Sequence, residues 1–206
     1  MGKKLENWWT YHKGIVIGAV FFLLLMLYVI SSLGKEEKKQ ILFGEMINNV
    51  LDDAVTTKME EDILHQISDN ESGEVVTVDT ALTMDTASLK ETPISDANTQ
   101  DSMATITAYV YAHDLDFMIC EKEVFDYYKN LNAFADLEEL FSAEDYVKIK
   151  DFVSEDGLEG YGIDISDTAF LNDYKITLKE PVLAIISGSE QKENAVKMVR
   201  WIVELQ

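Results

Sequence analysis

The sequence predicts an α/β protein: an N-terminal transmembrane helix followed by one small α/β domain. Three observations predict it. The first is an uncharged apolar run at residues 14–34, GIVIGAVFFLLLMLYVISSLG. The second is an alternation, through the rest of the chain, of short β-branched runs with segments of helical periodicity. The third is composition: 206 residues with 10 glycines and 2 prolines suit a folded chain rather than a fibrous or disordered one.

At 1.5 Å per residue the apolar run extends roughly 31 Å as a helix, the thickness of a bilayer core. Trp8, Trp9 and Tyr11 precede it as interfacial aromatics do. The expected layout is a cytoplasmic tail at 1–14, an anchor helix at 15–34 and an extracytoplasmic domain at 35–206. A cleaved signal peptide competes with the anchor, because Ser32-Leu33-Gly34 offers small residues at a suitable spacing. Length and the aromatic collar favour the anchor. Orientation rests on the long C-terminal segment, since three lysines flank each side of the run.

Residues 40–50, QILFGEMINNV, read as a strand or as a continuation of the anchor helix, and we take the strand. Asp52 and Asp53 then offer N-caps, and Val55, Met59, Ile63 and Ile67 recur every four residues, so 53–68 is a helix. The run 74–82, EVVTVDTAL, is a strand, and 83–95, with Pro93, is a loop. A helix is expected over 96–113, a buried strand over 115–120 and a helix over 121–131. Two short helices follow at 137–141 and 143–153, the second led by a possible capping box from Ser142 to Asp145. Strands at 160–166 and 181–187 and a closing amphipathic helix over 189–206 complete the alternation.

Charge narrows the function classes. Residues 41–206 hold 35 of the 38 acids and 11 of the 17 bases, a net charge of −24. Such a surface repels nucleic acid and anionic headgroups, which need basic patches. One cysteine, Cys120, rules out an intramolecular disulfide framework.

Three stretches carry a resemblance: LDFMICEKEVFDYYKNLNAFADLEELF at 115–141, EGYGIDIS at 159–166 and VLAIISGSEQKENAVKMVRWI at 182–202. Together they resemble elements of extracellular solute-binding proteins of the type II periplasmic-binding fold. Behind a Trp-rich anchor they also resemble a family of membrane-anchored proteins from clostridial Firmicutes. The resemblance implies one lobe of such a fold and a non-enzymatic role in binding a small solute. Two departures stand out. The chain is about half the length two lobes need, and Asp164 stands where the solute-binding motif carries proline.

The expected ligand-binding residues are Asp164, Ser166 and Asp167, at the end of a strand, where open α/β sheets bind ligands. Asp173 closes the same acidic loop. The competing reading is helix capping in a very acidic chain. Cys120 ends an apolar run and reads as a small buried hydrophobe. His12, His65 and His113 fit no metal spacing, and His113 suits a helix C-terminus. Phe125, Tyr127, Tyr128 and Phe134 fit a groove or, by their spacing, a core. No phosphate loop or nucleophile elbow occurs. The expected partners are the membrane, through 15–34, a small solute, and a membrane or envelope protein; no nucleic acid, metal or cofactor is expected. The alternative function is an accessory subunit of a membrane complex with no small ligand.

Overall fold

The computed structural model describes residues 20–24, 26, 38–153, 158 and 160–204. The chain divides into two compact units at Lys38/Lys39. In the first unit, residues 20–24 and 26 are helical and exposed. Among the described residues no helix is long and apolar enough to cross a membrane. The tail at 1–14 and most of the expected 15–34 span lie outside the described residues.

The second unit is an α/β domain on a mixed five-stranded sheet. Its elements run β1 (Lys39–Met46), α1 (Asp53–Ile67), β2 (Glu74–Asp79), α2 (Ala97–Ala112), β3 (Phe117–Glu121) and α3 (Lys122–Lys129). Then come α4 (Leu137–Leu140), α5 (Ala143–Val153), β4 (Ile163–Asp164), α6 (Ala169–Asp173), β5 (Pro181–Ile185) and α7 (Lys192–Ile202). The sheet order is β2-β1-β3-β5-β4. Strands β1, β2 and β3 are parallel, while β5 runs antiparallel to both β3 and β4.

The alternation along β1 sorts its side chains between two cores. Leu42 and Met46 join Met59 and Ile63 of α1 and Met198 and Val199 of α7. Phe43 and Ile47 join Ile106 of α2 and Val124 and Phe125 of α3. A bulge between Gln40 and Leu42 lets Ile41 share the first core with Leu42. Strand β5 is buried along its whole length, as the run PVLAI requires of a strand covered on both faces. Between β4 and β5, Ala169–Asp173 forms the short helix α6.

Local signals act as their chemistry dictates. Asp96 caps α2 by accepting a hydrogen bond from the Thr99 amide at 2.7 Å. Ser142 caps α5 by accepting from the Asp145 amide at 3.2 Å, and its hydroxyl donates to the Asp145 carboxylate at 2.8 Å, so the forward bond of the expected capping box forms while the carboxylate engages the hydroxyl. Asp52 occupies the N-cap of α1 without a side-chain cap bond. His113 ends α2 in the left-handed conformation, φ 59°, and its Nδ1 lies 2.9 Å from the Gly188 carbonyl. That contact ties it to the β5–α7 loop. Phe125, Tyr128 and Phe134 are core residues, with the Phe125 and Phe134 rings stacked at 5.0 Å.

Candidate functional site

The helices leave β1 toward one neighbour, β2, and return past it to the other, β3. Chain direction thus switches between the carboxyl ends of β1 and β3, where open α/β sheets form a crevice. Here the chain's own groups occupy that crevice. Asn48, in the left-handed region at φ 64°, donates from Nδ2 to Glu121 at 3.3 Å and accepts from the Met84 amide at 2.6 Å. Buried Asn49 accepts from the Thr177 amide at 2.9 Å. The Lys179 amide donates to the other Glu121 oxygen at 3.4 Å. The 175–180 segment, which carries positive φ at Lys175 and Glu180, is thereby stitched across the ends of β1 and β3.

Asp164 and Ser166 lie at this same end of the sheet, beyond β4. With Lys122, Leu158, Glu180 and Val182 they line a hollow of about 140 Å³. Asp164 Oδ1 accepts from the Ser166 amide at 2.8 Å and from its hydroxyl at 2.6 Å. This is the local Asx geometry of a turn, so the pair largely satisfies itself. Lys122 is held by both Asp126 oxygens at 3.0 Å. Asp167 is exposed and does not line the hollow. The space is small beside the ~300–1,000 Å³ of ordinary ligand pockets.

A larger concavity opens past α6, between α1, α6 and α7. Its volume is about 730 Å³, and Asp173 stands on its wall rather than beside Asp164. Phe170 and Tyr174 form a buried floor, with ring centroids 5.0 Å apart, and the half-buried Trp201 meets Phe170 edge-on at 5.8 Å. The Tyr174 hydroxyl donates to Asp62 at 2.6 Å, and Lys58 sits 4.6 Å over its ring. Lys58, then Tyr174, hold the Asp62 carboxyl below its ordinary range.

Two cations rise from α7 into this groove one turn apart, Lys197 and Arg200. Lys197 Nζ donates to the Ile67 carbonyl at the end of α1, 3.3 Å away. Arg200, the only arginine of the chain, donates from Nη2 to Asp145 at 2.6 Å. Ser142, then Arg200, lower the Asp145 carboxyl. One bond to Asp145 leaves most of the guanidinium's five donors for other acceptors. The expected site therefore divides. Asp164 and Ser166 share a small hollow, and Asp173 belongs to a ligand-sized groove whose cations, Lys197 and Arg200, lie outside the expected site. The signal for them was present in the sequence: two bases three residues apart on the polar face of an amphipathic helix, beside a tryptophan, in a strongly acidic domain.

On the opposite face of the sheet, a groove of about 740 Å³ is lined by Phe43, Tyr109, Asp79, His113, Asp114 and Glu190 among others. Asp116 at its base is already engaged, accepting from the Phe43 amide at 2.8 Å and the Ser189 hydroxyl at 2.6 Å. Cys120 is buried, and burial pushes its thiol well above the ordinary range, leaving it inert at neutral pH. Among the described residues no group of three His, Cys, Asp or Glu side chains is placed to hold a metal ion. Comparison with protein families, curated proteins and solved structures finds no match for the chain.

Proposed function

We propose that this is a single-pass membrane protein whose extracytoplasmic domain is a non-enzymatic, solute-binding-like module. The anchor is 15–34, the N-terminus lies in the cytoplasm, and the ligand is a small organic anion with an apolar body. The observation that carries the reading is the α1–α6–α7 groove. It has the volume of a ligand pocket, an aromatic floor and two cations in a domain of net charge −24. The apolar body of the solute rests on Trp201 above Phe170 and Tyr174, and its anionic group meets Arg200 and Lys197. Asp173 and Glu204 on the same walls disfavour polyanions, in keeping with the net charge of −24 over residues 41–206. An open sheet in a domain of single-lobe size supports the likeness to one half of a solute-binding protein.

The test is thermal unfolding of the full chain in detergent micelles against a panel of small aromatic and aliphatic carboxylates. A ligand at 100 times its dissociation constant adds about 2.7 kcal/mol to stability. The expected result is an upward shift with one class of anion that Arg200→Met and Lys197→Met abolish. A shift with no anion would overturn the reading and favour an accessory subunit that docks to a membrane complex.

A further inference from the structure

Glu45 lies near the carboxyl end of β1, between β2 and β3, with no cation or donor among the described residues bonded to its carboxylate. It is fully buried, and neither of its carboxylate oxygens has a hydrogen-bond partner among the described residues. Its register mates are Asp79 on β2 and Met118 on β3. It shares its face of β1 with Phe43 and Ile47, so its side chain enters the core covered by α2 and α3. In that core the Tyr128 hydroxyl of α3 is also buried and also without a partner. The titratable groups that share this surrounding are Asp79 from β2, Cys120 from β3, Tyr127 and Tyr128 from α3 and Tyr109 from α2. None of them is a cation. An unpaired carboxylate is far costlier to bury than a carboxylic acid, so the neutral acid is the form that fits.

We propose that Glu45 is a buried proton switch: the folded domain holds it as the neutral acid, and loss of that proton loosens β1 from β2 and α3. The loosening reaches the carboxyl edge directly, because Asn48 follows on the same stretch of chain and ties the β2–α2 loop and Glu121 to it.

Burial first, and Asp79 second, push the Glu45 carboxyl up to about 8. In the unfolded chain it ionises at the ordinary 4.5. Between these values the folded state keeps a proton that the unfolded state has released. Stability therefore falls as pH rises, with the unfolding constant growing about tenfold per pH unit, and the loss levels off above the folded value. Burial also raises Glu60 and Asp116, so the Glu45 contribution must be read as a difference between variants.

The experiment is urea unfolding of the full chain in detergent micelles from pH 5 to pH 9, wild type against Glu45→Gln. The expected result is a stability gap in favour of Glu45→Gln that widens with pH and flattens near pH 8. Parallel curves would overturn the proposal. Should Glu45→Gln fail to fold, isotope-edited infrared spectroscopy of the wild type decides. A protonated carboxyl band present at pH 7 and lost near pH 8 supports the switch; carboxylate alone at pH 7 overturns it. Amide exchange supplies the readout of loosening. After correction for intrinsic rates, β1 and α3 should open above pH 8 in the wild type, and unchanged protection there would also overturn it.

Discussion

Gly44 lies in β1 directly beside Phe117 of β3, and the ring lies where a β-carbon would be. The residue is glycine because the aromatic side chain fills its place in the α1–α7 core. Gly44→Ala should therefore cost about 1–3 kcal/mol or more through forced displacement of a fully buried ring. Urea unfolding measures it, and Gly44→Ala combined with Phe117→Leu should recover part of the loss, since the pair is in contact. The sequence displays Gly44 inside a strand-like run, which signals a close approach, but only register identifies Phe117 as the neighbour. Glu45 illustrates the opposite case. Alternation places it on the same face as Phe43 and Ile47, yet an acid in a strand reads as solvent-facing until the helices covering that face are known.

At the scale of elements, β2 is an edge strand, and edge strands expose unpaired amides that recruit other chains. Helix α1 answers this with a side chain: Glu60 accepts from the Val78 amide at 2.8 Å. Glu60→Ala removes that cover. The expected outcome is concentration-dependent self-association, read by light scattering, while Glu60→Gln, which keeps an acceptor, stays closer to wild type. Most elements were legible because their periods are strong. Met59, Ile63 and Ile67 state a helix, and PVLAI states a buried strand. Helix α6 was not legible, because five residues with one buried position carry no period. The groove was half legible. The acidic loop marks Asp173, but its meeting with Trp201 across α6 and α7 depends on tertiary packing, which spacing does not encode.

At the scale of the whole molecule, the order of strands in space departs from their order along the chain. Strand β5, the last made, sits between β3 and β4. No local pattern announces this, since pairing partners of β5 lie far away in sequence and its antiparallel direction leaves no mark on its composition. The consequence for truncation is specific. A chain ending at residue 180 loses an interior strand and the helix that covers β1, and should show neither cooperative unfolding nor near-ultraviolet circular dichroism. A chain beginning at Lys39 retains every strand and helix of the domain and should keep both.

The interior position of β5 also sets a clock on biosynthesis. The parallel β1, β2 and β3 can assemble while the ribosome is still working, but β3 then offers an unpaired edge to whatever surrounds the nascent chain. Strand β4 waits with no neighbour at all. Only after β4 has been made does β5, one short segment, arrive to fill the gap between them. A pause or a stop codon between β4 and β5 would leave a half-built sheet with the β3 edge unpaired, a ready substrate for chaperones and proteases.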